Sequence, residues 1–187
     1  MEPNQMYHLF NRGNNRGLVF FKDKNYSYFL NKVKRHLLPH VDVLAYCLMP
    51  NHFHLQVYTK NDFDFVAYGH ALKIMLSSYT RGINVQEGRT GSLFQQHTKK
   101  KILTNYGFVC FHYIHQNPMR TGLVSKMEDW PYCSFNNYFK GLHDTICNHN
   151  LACELLDLPI DPSEFYDLSY QVINYNGNGS TTDSFSS

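Results

Sequence analysis

The sequence predicts an α+β fold organised around an antiparallel sheet. Three observations carry that reading. A hairpin pattern sits in the first third of the chain, two long helical stripes flank it, and strands and helices alternate too irregularly for repeated βαβ units. The hairpin comprises two apolar runs, Val41 to Met49 (VDVLAYCLM) and His52 to Tyr58 (HFHLQVY), joined by Pro50-Asn51. Valine and tyrosine favour extended backbone, and a Pro-Asn pair turns it.

The remaining elements follow in order. Tyr7 to Asn11 reads as a first strand running into Arg12-Gly13-Asn14-Asn15-Arg16-Gly17, a turn of residues that tolerate positive φ. Asp23 reads as the N-cap of a helix from Lys24 to about Leu37, with Phe29, Leu30, Val33 and Leu37 on one face and Pro39 as the stop. A second helix spans Phe65 to Ile83, where Phe65, Tyr68, Leu72, Met75 and Tyr79 form a core-facing stripe. Beyond the Gly88-Arg89-Thr90-Gly91 turn, a strand pair is expected around Ser92 to Gln95 and Lys99 to Leu103. Thr104 caps a third helix that ends at Asn117, before Pro118. Trp130-Pro131-Tyr132 opens a shorter helical part, and Asp161-Pro162 reads as another helix start. The Asn/Gly/Ser/Thr-rich stretch from Asn174 to Ser187 reads as a flexible tail.

Composition narrows the function classes. At 187 residues the chain is long enough for one domain with a proper core, and 16% aromatic residues against 17% charged ones exclude a disordered chain. A net charge of +2 excludes a histone-like binder, so contact with nucleic acid requires a local patch. Apolar runs are too short for a membrane span, and the first ten residues lack a secretory pattern, so no membrane partner is expected. Five scattered cysteines without a C-x-x-C fit a reducing cytoplasm. Cys147, His149 and Cys153 are the nearest group of metal-ligating types, but they lack a fourth ligand at recognisable spacing and read as ordinary half-buried groups.

Two segments carry candidate chemistry. On a strand, His52 and His54 share one face, about 7 Å apart at Cα, while Phe53, Leu55 and Val57 take the other. Imidazoles so placed can converge on one metal ion, or they can be two half-exposed histidines on a sheet. On the third helix Tyr113 and Asn117 lie one turn apart and face the same way. Each has a plain structural reading, the tyrosine as a packed aromatic and the asparagine as a helix-end cap. Together, two imidazoles and a carboxamide oxygen make an N/O donor set without thiolate, suited to Mn²⁺ or Mg²⁺. A tyrosine beside such an ion can attack a phosphodiester and form a covalent intermediate.

Met49-Pro50-Asn51-His52-Phe53-His54-Leu55, followed by Tyr113-Ile114-His115-Gln116-Asn117-Pro118-Met119-Arg120-Thr121-Gly122-Leu123-Val124, resembles the single-tyrosine HUH transposases. The similarity is greatest to the branch of REP-associated tyrosine transposases (IS200-like). Tyr7-His8, Asn11 to Arg16, Phe20-Phe21, Gly91 to Gln95 and Asp129-Trp130-Pro131 agree in order, and the match covers roughly residues 6–140. Insertion-sequence relatives carry glutamine four residues after the tyrosine where this chain has Asn117, which favours the REP-associated branch. Thr98 departs from the aromatic that relatives tend to carry there.

The resemblance implies a ferredoxin-like antiparallel sheet with packed helices, the HUH endonuclease/transposase fold, over residues 1–140. A helical extension over 141–173 and the tail over 174–187 would follow. It implies Tyr113 as the catalytic nucleophile, His52, His54 and Asn117 as ligands of Mg²⁺ or Mn²⁺, and single-stranded or hairpin DNA as the partner. The product would be a 5′-phosphotyrosine adduct. Arg12, Asn14, Arg16, Lys99, Lys101 and Arg120 are the candidates for DNA contact. Lys99 and Lys101 share a strand face and Lys100 opposes them, although a solvated edge strand accounts for the lysines equally. The phenol proton would go to metal-bound water, His112 or His115. A monomer and a homodimer are both compatible with the sequence. Two rival classes remain: a domesticated hairpin-binding protein without catalysis, and a metal-dependent hydrolase that uses water as nucleophile.

Overall fold

The structure, a computed structural model, describes residues 1–142 and 144–174. Strand β1 (Met6–Arg12), helix α1 (Asp23–His36), hairpin strands β2 (Val41–Met49) and β3 (His52–Thr59), helix α2 (Phe65–Glu87) and strand β4 (Lys99–Ile102) come first. Helices α3 (Gly107–Arg120), α4 (Phe135–Phe139), α5 (His149–Leu156) and α6 (Pro162–Asn174) follow. The four strands form one sheet in the order β2-β3-β1-β4, with every neighbouring pair antiparallel. This is the α+β fold that the sequence predicts, in the ferredoxin-like arrangement that the resemblance implies.

Strand alternation divides the molecule into two layers. Tyr7 and Leu9 of β1, with Phe53, Leu55 and Val57 of β3, join Phe29 and Val33 of α1 and Met75 and Tyr79 of α2 in one core. His8, Phe10 and Arg12 of β1, with His52, His54 and Gln56 of β3, lie on the opposite face. Strand β2 feeds both layers by alternation, and a register shift between Val43 and Ala45 inverts its parity by putting Leu44 and Ala45 on the same side. Val41, Val43, Tyr46 and Leu48 enter the first core, while Leu44, Ala45, Cys47 and Met49 enter a second with Phe111 and Ile114 of α3 and Phe165 of α6.

Several expectations shift for identifiable reasons. Helix α2 runs to Glu87 because Asp64 caps its start and Gly88, at φ 60, ends it. Its first stripe residue, Phe65, is half exposed and lies beneath the Lys100 ammonium, 4.3 Å away. Ser92 to Gln95 forms no strand with β4. The segment crosses the end of β1, where Gln95 N donates to Arg12 O, and β4 pairs with β1 instead. Trp130 is extended and Pro131-Tyr132 form a turn, held along β2 by Leu48 N donating to Tyr132 O and Trp130 Nε1 to Leu48 O, so the helical part begins only at Phe135. Helix α3 begins at Gly107 and continues past Pro118 to Arg120. Proline removes one donor near the helix end, where Thr121 N still bonds Asn117 O. Asn174 closes α6, and the rest of the expected tail lies outside the described residues. No helix among the described residues is long and apolar enough to cross a membrane.

Candidate active site

The hairpin tip organises the site. Pro50 O accepts from Val19 N and Phe20 N, and Asn51 O accepts from Gly13 N at 2.8 Å, which ties the arginine-bearing loop to the start of β3. Gly13 is required here, since a Cβ would fall 2.1 Å from Gly17 O. A cavity of about 250 Å³ opens beside this junction, lined by Phe10, Arg12, His52, His54, Tyr113 and Asn117 among others. A larger cleft of about 950 Å³ lies between α2 and residues 88–98 and contains neither the histidine pair nor the tyrosine.

Each histidine is fixed through one nitrogen. His52 Nδ1 donates to Asn51 Oδ1 at 2.6 Å, and Asn51 Nδ2 donates to Arg16 O, which sets the amide's orientation. A carbonyl oxygen only accepts, so His52 Nε2 is the basic nitrogen. His54 Nδ1 lies 2.9 Å from His8 Nε2, and His54 Nε2 lies 3.4 Å from Asn117 Nδ2. The His52 and His54 rings sit 4.9 Å apart and nearly perpendicular, with the Tyr113 ring 5.9 Å from His54.

Burial governs the protonation states. It lowers the His8 pKa to about 3, helped by Lys101, and the His52 pKa to about 4, with Arg12 adding to the effect and the Asn117 amide opposing it. His54 is lowered by burial and by the neighbouring His8, His52 and Arg12. All three rings are therefore neutral at pH 7, the state in which an imidazole ligates a metal. Asn117 Oδ1 is buried and accepts no hydrogen bond. An orphaned amide oxygen beside two basic imidazole nitrogens fits a hard divalent cation. Burial raises the Tyr113 phenol pKa, while the Arg120 guanidinium and the Asn117 amide act against it. The Arg120 guanidinium carbon lies 5.6 Å from the Tyr113 ring centre.

No family model matches the chain. A curated relative from Haemophilus influenzae, "Putative REP-associated tyrosine transposase", is 26% identical over 110 residues, covering 53% of this chain and 61% of the relative. The chain thus spans about three-fifths of that relative's length. A solved structure of a REP-associated tyrosine transposase bound to a REP hairpin aligns with a TM-score of 0.59 at 19% identity, covering 78% of this chain and 86% of the other. The resemblance read from the sequence holds in both comparisons. At that identity the structural match speaks for the fold.

The structure brings His52, His54, Tyr113, Asn117, Arg12 and Lys99 to one cavity. Lys101 pairs with His8 across β1 and β4, and Lys100 turns to the other face. Asn14 and Arg16 sit in the exposed 3-10 turn Asn14–Arg16. His112 and His115, candidates for the base, are elsewhere. Their rings are enclosed by Phe108, Phe111, Phe135 and Phe165, and His115 Nε2 bonds Ser134 Oγ at 2.7 Å. His8, Asn51 and the exposed rim residue His97 were not singled out in sequence. The His8 signal is its alternation with Phe10 and Arg12, which becomes informative once β1 is known to pair with β3.

Away from this cavity, ligand atoms of Asp144, Cys147 and His149 lie within 4.8 Å of one another, a second group able to hold a metal. Cys153 is outside it.

Proposed function

We propose that this chain is a transposase-type nuclease that cuts and rejoins single-stranded DNA at hairpin-flanked repeats. The observation that carries the proposal is the convergence of His52, His54, Asn117 and Tyr113 on one cavity within a single chain. The two relatives bear the name of REP-associated tyrosine transposases, and one was solved with a REP hairpin.

His52 Nε2, His54 Nε2 and Asn117 Oδ1 would hold the cation. The donor set suits Mg²⁺ or Mn²⁺, which supplies a Lewis acid for a phosphodiester oxygen when bound. His8 keeps the His54 ring in place through its Nδ1, and Asn51 does the same for His52. Tyr113 Oη attacks phosphorus. The O–P ester forms as the P–O3′ bond breaks, and the departing oxygen takes up a proton. One ester replaces another, so a new 3′-hydroxyl reverses the step without an external energy source. The phenol proton passes to water or to His97 at the cavity rim.

Arg12, Lys99 and Lys101 lie on the sheet face that bears the histidines, Arg120 flanks the tyrosine, and Asn14 and Arg16 extend the path across the hairpin tip. We assign this path to the DNA backbone. One copy holds the nucleophile and all three ligands, so catalysis needs no exchange of helices between copies. Residues 1–140 carry the reaction, and residues 141–173 brace α3.

The test uses single-stranded DNA from the flanks of the chain's own gene, with Mn²⁺, resolved on a denaturing gel. Wild type yields a protein–DNA adduct and Tyr113→Phe yields none. Efficient cutting by Tyr113→Phe would assign the reaction to hydrolysis by water. Binding without cutting by wild type would make this a recognition module.

A further inference from the structure

Three unlike side chains that can bind a metal meet where the chain enters α5. The Asp144 carboxylate, the Cys147 thiol and the His149 imidazole place their ligand atoms within 4.8 Å of one another. We propose that Asp144, Cys147 and His149 form a zinc site that clamps the helical extension to strand β2. It is separate from the catalytic cavity. Cys147 bridges to Val43 of β2, whereas His54 pairs opposite Cys47, about 13 Å further along that strand.

The donor chemistry selects the ion. One sulfur, one nitrogen and one oxygen donor match zinc, a borderline-soft cation, and poorly match Mg²⁺ or Mn²⁺. A thiolate and a carboxylate together balance the +2 charge. Tetrahedral zinc sets its ligand atoms about 3.5 Å apart, so a small rotation of a side chain closes the three protein donors around the ion, and a water would take the fourth position.

The supporting contacts are those of a held ligand set. Asp144 Oδ1 accepts from Ile146 N at 3.0 Å and Cys147 N at 2.7 Å, and Oδ2 accepts from Asn137 Nδ2 at 2.6 Å. Two hydrogen bonds occupy the acceptor sites of Oδ1, whereas Oδ2 keeps one open, and such outer contacts orient a carboxylate to bind a metal through the remaining site. Cys147 is buried, with its backbone fixed against Val43. The His149 ring stands edge-on to Tyr138 at 4.5 Å, and its Nε2 is closed off from solvent. Cysteine binds as thiolate, so loading releases the thiol proton to buffer.

The loop also ties the extension to the sheet. Asn148 N donates to Val43 O at 2.8 Å and Asn148 Nδ2 donates to Asp42 Oδ1 at 3.0 Å. An ion held by Cys147 and His149, on either side of Asn148, would lock that attachment, and its binding energy would appear as folding stability.

The experiment titrates the reduced, chelator-treated full chain with Co²⁺ and then Zn²⁺. One equivalent of Co²⁺ is expected to give a thiolate-to-cobalt charge-transfer band, which one equivalent of Zn²⁺ bleaches while raising the melting temperature. Cobalt in the His52/His54/Asn117 cavity has no sulfur donor and cannot give that band. Cys147→Ser should lose it, Asp144→Asn should weaken zinc at least about tenfold, and the paired His52→Ala/His54→Ala variant should retain it. Absence of the band in wild type, its survival in Cys147→Ser, or its loss in the paired histidine variant would each overturn the proposal. If Cys147→Ser does not fold by circular dichroism, Asp144→Asn decides, and unchanged zinc affinity there overturns it.

Discussion

Helix α3 presents histidine-rich surroundings on two sides, and they differ in kind. On one side, Tyr113 and Asn117 meet His8, His52 and His54 across the sheet. On the other, the helix's own His112 and His115 are wrapped by aromatic rings. Burial holds imidazoles neutral on both sides, His52 and His112 alike being lowered to about 4. A displaced pKa therefore does not tell the two sides apart. Convergence does. On the first side ring nitrogens, an orphaned amide oxygen and a phenol share a cavity. On the second, His115 finds Ser134 and the surrounding rings, Phe108, Phe111, Phe135, Tyr138 and Phe165, are packed around the imidazoles.

The largest effect should come from exchanging imidazoles across this divide. His54→Ala removes a proposed ligand and is expected to cut adduct formation about a thousandfold or more, since a Lewis-acid metal supplies several kcal/mol of transition-state stabilisation. His115→Ala leaves the ligands in place and should instead cost about 2–4 kcal/mol of stability from the cavity it opens. Urea unfolding and a gel assay at matched folded concentration separate the two. Equal loss of the chemical step in both variants would erase the distinction between the sides.

His8→Gln is the next step down. It disturbs the Nδ1 contact of His54 without removing a ligand, so Mn²⁺ affinity should fall roughly 10–100-fold. Saturating Mn²⁺ should then restore most of the rate. A rate that stays low at saturation would make His8 a participant in chemistry.

Why one side was legible in sequence and the other was not follows from distance along the chain. The pairing of His52 with His54 and of Tyr113 with Asn117 is local, written in the periods of a strand and a helix. His8 touches His54 across 46 positions, and only the antiparallel register of β1 on β3 creates that contact. The exclusion of His115 was available locally, because two residues of helix turn it about 200° from Tyr113. His112, one residue away, needed the aromatic cluster around Phe165 to be known. The Ser92 to Gln95 run has the residues of a strand, yet it gives its hydrogen bonds to the end of β1, a choice set by tertiary packing. Asp144 is close in sequence to Cys147 and His149, but the three are gathered by a turn that follows neither a strand nor a helix period, so their spacing carries no motif.

Arg120 tests the reactive side more finely. Its guanidinium lies 5.6 Å from the Tyr113 ring and pulls the phenol pKa down against the rise that burial imposes. Arg120→Gln removes that pull, so the phenol pKa rises further and the rate profile for adduct formation should move to higher pH. An unshifted profile with weaker DNA binding would confine Arg120 to phosphate contact.

The smallest effect concerns the structural side and is a matter of linkage. His112 has a folded-state pKa of about 4, below its ordinary 6.5, because burial penalises the charged ring. Between those two values the unfolded chain binds more protons than the folded one, so stability rises with pH across that window and is lost as pH falls through it. The loss is complete near pH 4, and for this one ring it amounts to roughly 3 kcal/mol at most. His112→Phe keeps the aromatic packing against Phe108 and Phe165 and removes the titration. Its stability should therefore decline less than wild type between pH 7 and pH 4.5 in urea unfolding, with adduct formation at pH 7 unchanged. A parallel decline in both proteins would mean that the imidazoles facing Tyr113, and not those behind it, set the acid limit of the fold.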